Sequence, residues 1–387
     1  MEKIPFGKPH ISGSELAYLQ QVLDSASLSG DGAFTRKCQA WLENQLGTPK
    51  AMLTHSCTAA LEMAAILSGV GPGDEVIMPS FTFVSTANAF VLRGATPVFV
   101  DIDPHSLNID PHEIRAAITP RTRAIVVVHY AGHPCDMDAI QALCQQHGLL
   151  LIEDAAQAIL TEYKGKKLGT IGDLGCLSFH ETKNVISGEG GALLVNNPAF
   201  FERADVIWQK GTNRKAFFEG LVDKYTWVDV GSSYLPGELI AAFLYAQLEQ
   251  AEQINQVRRG HWALYRQLLL PLAQAGYIEL AEPLPAAGEN AHIFHIMLPD
   301  AGQRTCLIQY LAQRAVSAVF HYIPLHSAPA GRQFGRAHGD LPHTDRVASS
   351  LLRLPLFPGM SASQVHYVCS QISQFFQCKH DPAPHSS

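Results

Sequence analysis

Short apolar runs recur along the first half of the chain: AMLT at 51–54, EVIM at 75–78, TPVFVDI at 96–102, AIVVVHY at 124–130, LLLIE at 149–153, GCLSF at 175–179 and GALLV at 191–195. Most are apolar at every position rather than at alternate ones, which is the pattern of strands covered on both faces. Helical segments separate several of them. Residues 58–69, TAALEMAAILSG, carry an apolar stripe that ends on glycine. Residues 136–147, DMDAIQALCQQH, open on an aspartate cap and stop before Gly148. Strand and helix in alternation predict an α/β fold with a mostly parallel sheet and ligand sites at the strand carboxyl ends.

The texture changes after residue 245. Residues 246–276 read as one long helix leading into a second unit. There, IFHIMLP at 293–299 and SAVFHYIP at 317–324 alternate in polarity and predict strands with a helix between them. The division this predicts is a large α/β domain with an N-terminal arm over 1–245, a smaller α+β domain over 246–379, and a polar, Pro-containing disordered tail over 380–387.

Composition narrows the class. The 387 residues are 47% apolar and 16% charged, as in a well-buried globular enzyme of two domains. A net charge of −7 offers no basic footprint for nucleic acid. No run approaches the 18 apolar residues of a membrane span, and MEKIPFGKPHISG holds no signal-peptide core, so a cytoplasmic protein is expected. The eight cysteines form no CxxC pair and the 18 histidines no HExxH motif, so no metal is expected.

The candidate chemistry lies at strand ends. LLLIEDAAQ (149–157) delivers Asp154 to the end of one apolar run, and SFHETKN (178–184) delivers Lys183 after another. An acid and an amine held this way fit pyridoxal phosphate. The lysine forms a Schiff base with the aldehyde, and the carboxylate pairs with the pyridinium nitrogen. Between a strand and a helix, THSCT (54–58) offers free amides and the hydroxyls of Ser56 and Thr58, with Cys57 between them, as a phosphate cup; ordinary helix capping uses the same residues. Phe83 is either a stacking partner for a flat ring or a core residue. Gln157 can bond the ring oxygen or serve as a structural amide. Ser178 can add a phosphate hydroxyl. His180 either positions Lys183, touches substrate, or is structural. GEGG at 188–191 supplies a backbone able to approach a cofactor closely, and it matches no nucleotide-binding fingerprint.

Taken together, these segments resemble the DegT/DnrJ/StrS sugar-nucleotide aminotransferases, which are fold type I pyridoxal-phosphate enzymes. The resemblance also covers SLSGDGAFT (27–35), PSFTFVSTANAF (79–90), VHYAGHPCDMD (128–138) and HYIPLH (321–326), and so nearly the whole chain. It implies Lys183 as the Schiff-base lysine, Asp154 as the pyridinium partner and Gln157 by the ring oxygen. It also implies Phe83 on the ring face and Thr58 and Ser178 at the phosphate. Ser233, where many members have asparagine, would reach the phosphate from the neighbouring subunit, so the resemblance implies a homodimer with shared active sites. SFHETKN, QKGTNR (209–214) and DKYTWVDVGSSYL (223–235) further imply the reaction. L-glutamate would aminate dTDP-4-keto-6-deoxy-D-glucose to dTDP-4-amino-4,6-dideoxy-D-galactose, for a surface polysaccharide such as enterobacterial common antigen. The gluco epimer, another nucleotide 4-keto sugar, or a non-catalytic regulatory protein on the same fold are the alternatives. The family's sugar 3-dehydratases carry histidine in place of the lysine, and Lys183 is present here.

Overall fold

The computed structural model describes residues 3–218, 220–281 and 288–378. Its centre is an eight-stranded sheet of β1 (Ala51–Thr54), β2 (Glu75–Pro79), β3 (Thr96–Val100), β4 (Thr122–Val128), β5 (Leu150–Asp154), β8 (Leu174–Ser178), β9 (Gly191–Val195) and β12 (Arg336–Ala337). The spatial order is β1-β9-β8-β5-β4-β2-β3-β12. All neighbours run parallel except β9, which is antiparallel to both β1 and β8. Strands β1, β2, β8 and β9 are buried at every position, which explains why the apolar runs do not alternate. Helices cover both faces. The helix Cys57–Leu67 is buried along nearly its whole length, from Ala59 to Leu67.

The registers gather one end of the sheet. Val128 pairs with Asp154, Asp154 with Cys176, Ser178 with Gly191, and Gly191 with Thr54. The carboxyl ends of four strands and the start of β9 therefore form one rim. The strands and the two helices expected from the pattern lie where predicted, within about two residues at each end. The run at 124–130 stops sooner, at Val128, because the chain turns through Tyr130–Gly132 with Ala131 at φ 59°.

A second sheet orders β10 (Glu279–Leu280), β11 (Phe294–Met297) and β13 (Leu351–Leu354), all antiparallel. Its core gathers Trp262, Tyr265, Phe294, Leu352 and Phe376, and Ile4 joins it from the other end of the sequence. A small hairpin pairs β6 (Glu162–Tyr163) with β7 (Lys166–Lys167).

Two expectations fail here. The long helix over 246–276 is two helices, Glu238–Glu249 and Ala251–Gln274, joined at Gln250 with φ −107° and ψ 6°. The bend divides one apolar stripe between two cores: Leu244 and Leu248 pack beneath the N-terminal helices, whereas Trp262, Tyr265 and Leu269 enter the second core. The stretch 317–324 is not a strand. Only Val319 bridges to Arg353, and the chain then turns to send His321 and Tyr322 elsewhere. The strand that completes the sheet is β13, which was not expected. The expected tail at 380–387 lies outside the described residues.

Glu238 fastens the start of the chain to this frame. Its carboxylate accepts from the amides of Gly32 (3.0 Å), Phe34 (2.7 Å) and Thr35 (3.0 Å), and from the Thr35 hydroxyl. These are the orphan donors at the start of the helix Ala33–Leu46, satisfied from a distant segment. Among the described residues, no helix is long and apolar enough to cross a membrane.

Candidate active site

A cavity of about 860 Å³ opens at the gathered rim. One wall is built from the main sheet. Asp154 ends β5 and is 5% exposed. Its Oδ2 accepts from the Thr86 hydroxyl at 2.7 Å and its Oδ1 from the Ala156 amide at 3.2 Å. Thr86 is itself bonded to Thr82, one helical turn earlier, at 2.8 Å. Burial raises the carboxyl's pKa, against the pull of Thr86, Ala156, Lys183 and His129. Among the described residues no ion pair involves Asp154, which borders the cavity.

Lys183 lies half-buried on the same cavity, in the loop after β8. Burial lowers its pKa, Cys57 and Asp154 oppose that shift, and Arg353 adds to it. A depressed amine is the better nucleophile. The next residue locks the loop: Asn184 donates to Asn255 Oδ1 (2.8 Å) and to Asn290 O (2.7 Å), and its Oδ1 meets His292 Nδ1 at 3.0 Å.

The expected phosphate cup is the start of the helix Cys57–Leu67. Ser56 is its N-cap and accepts from the Ala59 amide at 3.1 Å. The amides of Cys57 and Thr58 then have no partner within the helix. Thr58 Oγ1 lies 2.8 Å from Ser85 Oγ, and Ser178, at the end of β8, borders the same cavity. The glycines act differently from expectation. A methyl at Gly191 would stand 2.5 Å from the Cys57 nitrogen, so this glycine lets β9 approach the helix start rather than a cofactor. Gly190 does border the cavity.

The opposite wall comes from the C-terminal half. Gln157 Oε1 accepts from the Ala131 amide at 2.6 Å, and its Nε2 donates to the Tyr322 hydroxyl at 2.7 Å. The Tyr322 and His321 rings stack at 3.7 Å, and His321 Nδ1 meets the Tyr130 hydroxyl at 2.8 Å. Burial raises the pKa of Tyr322 and lowers that of His321, so both are neutral near pH 7. Arg258 and Arg353 complete this wall.

The structure thus brings eight of the predicted residues to one cavity: Ser56, Cys57, Thr58, Phe83, Asp154, Gln157, Ser178 and Lys183; His180 is a ninth. Phe83 is 57% exposed, which rejects the core reading. His180 sits farther out, its Nδ1 2.9 Å from Thr182 Oγ1 and its Nε2 3.6 Å from Glu189, and only its carbonyl meets Lys183, through the backbone amide. Ser233 does not border the cavity of its own chain; it bridges to Gln209. Sequence reasoning assigned no role to Thr86, Asn184, His292, Tyr322 or Arg353. Thr86 could have been found from its spacing to Thr82, and Arg353 as the lone charge in LLRLPLF.

The family model of DegT/DnrJ/EryC1/StrS aminotransferases matches residues 9–373. The chain belongs to that family. It is 34% identical to the spore coat polysaccharide biosynthesis protein SpsC of Bacillus subtilis, over 95% of this chain and 96% of the relative. It is 32% identical to the GDP-perosamine synthase of Escherichia coli O157:H7, over 98% and 100%. Among solved structures, the aminotransferase TlmJ of Streptoalloteichus hindustanus superposes with a TM-score of 0.89 at 32% identity, covering 97% of this chain and 100% of that one. The protein is therefore a sugar aminotransferase with an α/β fold, and its cofactor is pyridoxal phosphate. The residues present fit that group: a helix start with free amides for a phosphate, a buried acid held by Thr86 for a ring nitrogen, and a depressed amine for an aldehyde.

Proposed function

We propose that this aminotransferase moves the amino group of L-glutamate to C4 of dTDP-4-keto-6-deoxy-D-glucose, releasing 2-oxoglutarate and dTDP-4-amino-4,6-dideoxy-D-galactose. The observation that carries the aminotransferase chemistry is the single cavity in which the Lys183 amine and the buried Asp154 carboxylate share a rim. The substrate reading rests on SFHETKN, QKGTNR and DKYTWVDVGSSYL. That a relative bears the name of a synthase for a GDP-linked sugar supports a nucleotide sugar as the acceptor.

The roles follow from position. Bound pyridoxal phosphate supplies an electron sink for the carbanion formed next to nitrogen. The amides of Cys57 and Thr58, with Ser178, hold its phosphate. Asp154 keeps a proton on the ring nitrogen, and Thr86 holds that carboxylate in place. Phe83 covers a ring face, and Gln157 stands by the ring oxygen. Lys183 Nζ takes the proton from Cα of the donor and returns one to C4 of the sugar. His180, near the mouth, contacts the sugar nucleotide. The exposed, apolar segment around Trp227 (78% exposed) supports a homodimer, in which Ser233 would reach the phosphate of a second copy of the chain.

Incubation with dTDP-4-keto-6-deoxy-D-glucose and L-glutamate, followed by NMR of the product, tests this. An axial amine gives small H3–H4 and H4–H5 couplings. Large couplings identify the gluco epimer and overturn the stereochemistry alone. No amination of this sugar overturns the substrate.

A further inference from the structure

Arg353 sits in β13 between two leucines buried in the second core, Leu352 and Leu354. Strand alternation turns it to the other side, where it borders the cavity. Its guanidinium lies over the Phe6 ring, 4.8 Å from the centroid. Its Nε and Nη2 both donate to one carbonyl, Phe320 O, at 3.2 and 2.9 Å. The ring and the carbonyl fix the plane of the fork, yet they engage only part of the five donors a guanidinium carries. Among the described residues no ion pair involves Arg353. Burial lowers its pKa, and only the phenols of Tyr130 and Tyr322 oppose that shift. A guanidinium held so, in a wall, is built to meet an anion.

The other cationic and anionic features of the cavity narrow which anion. Arg258 is committed to the wall itself, donating to Ala291 O at 3.0 Å and to His292 O. The cofactor's phosphate has its own place at the helix start near Cys57. Arg353 instead belongs with the reacting end: the carbonyl it grips is that of Phe320, directly before the stacked His321 and Tyr322, and the Tyr322 hydroxyl is bonded to Gln157 in the cavity that Lys183 also borders. In an α-amino acid the carboxylate is one bond from the carbon that loses its proton. In a sugar nucleotide the diphosphate hangs from C1, across the ring from the C4 that gains nitrogen. An anion site close to the lysine therefore suits the amino acid.

We infer that Arg353 anchors a carboxylate of the amino donor. This rests on the transaminase reading above. It makes Arg353 the residue that selects an amino acid for the first half of the reaction, while the sugar nucleotide in the second half is held by other groups.

The test uses the holoenzyme and its Arg353→Met and Arg353→Lys variants. Calorimetry measures binding of glutarate, an unreactive dicarboxylate, and separately of dTDP. The cofactor's visible absorption is followed while L-glutamate is added without sugar. Arg353→Met should weaken glutarate at least about tenfold and raise by a similar factor the L-glutamate needed for half the spectral change. Affinity for dTDP should stay within about twofold, and Arg353→Lys should recover part of the loss. If Arg353→Met does not fold, Arg353→Lys must still weaken glutarate more than dTDP. Unchanged glutarate binding overturns the inference. So does a loss confined to dTDP, which would make Arg353 a diphosphate anchor, or an equal loss of both. Wild-type enzyme whose spectrum ignores L-glutamate refutes the donor in the proposed reaction, and the glutarate comparison still decides the role of Arg353.

Discussion

The two walls of the cavity are built by different rules. The wall that carries Asp154, Ser178, Lys183 and the helix start at Cys57 comes from the ends of neighbouring strands in one mostly parallel sheet. Such a sheet has a fixed place for chemistry, at its carboxyl edge, and a few residues of local pattern suffice to find it. The wall that carries His321, Tyr322 and Arg353 comes from a short second sheet and a segment held to it by one bridge, Val319 to Arg353. For His321 and Tyr322, which lie outside any strand, no register dictates which way the side chains turn. The lesson is a division of labour. On the proposed roles, steps common to every substrate of the cofactor would belong to the regular wall, and choices between substrates to the other.

That division can be broken by experiment. Lys183→Ala should leave the fold intact, since the side chain is only half-buried, and should lower turnover by about 10⁴-fold, the upper range for a general acid–base group. Circular dichroism and a coupled assay for 2-oxoglutarate measure the two. Asp154→Asn keeps the volume and removes the charge, and turnover should fall roughly a thousandfold, with the cofactor's absorption spectrum altered. Tyr322→Phe, on the irregular wall, removes only the partner of Gln157 Nε2. The expected loss is roughly three- to tenfold, the worth of one neutral hydrogen bond. A loss as large as that of Asp154→Asn would end the division, because Tyr322 would then share in the common chemistry.

The smallest effect concerns stability. Glu289 precedes Asn290, whose amide bonds Gln157 O at 2.8 Å behind the cavity. Burial pushes the pKa of Glu289 up to about 7, with Arg259 opposing, whereas unfolded glutamate titrates near about 4.3. The folded state binds this proton more tightly. Its stabilising contribution is therefore complete below about pH 4.3 and is lost as the pH rises through about 7. Glu289→Gln should raise the urea midpoint most at pH 8, less at pH 5, and leave it little changed below about pH 4. Equal shifts at all these pH values would mean that the side chain acts by packing.

The contrast between the walls also explains what the sequence disclosed. Continuous apolar runs revealed the strands of the large sheet, and the acid and lysine at their ends were legible because burial rarely leaves a charge there without purpose. The bend at Gln250 was not legible, since the helical period continues through it and only tertiary packing splits its stripe. The stretch 317–324 alternates like a strand, yet it makes only the bridge from Val319 to Arg353 before the chain turns away. GEGG was read as a close approach to a cofactor, and sequence could not tell that Gly191 meets the backbone of Ser56 and Cys57 instead. Ser233 illustrates another limit: within its own chain it bridges to Gln209, away from the cavity, and nothing in the pattern around it foretells that.

The clasp of Glu238 on the helix Ala33–Leu46 has a consequence for how the molecule is made. Thr35 and its cap are 203 residues apart. At about 5–20 residues per second, roughly 10–40 s separate their synthesis. Strand β1 waits a shorter but comparable time, because its partner β9 begins at Gly191. A segment made well before its partners is thus secured late, and the edge of β1 stays open to chance pairing meanwhile. Slower synthesis lengthens that exposure, so cooler expression should help this chain only as far as it weakens apolar association more than it delays residue 238.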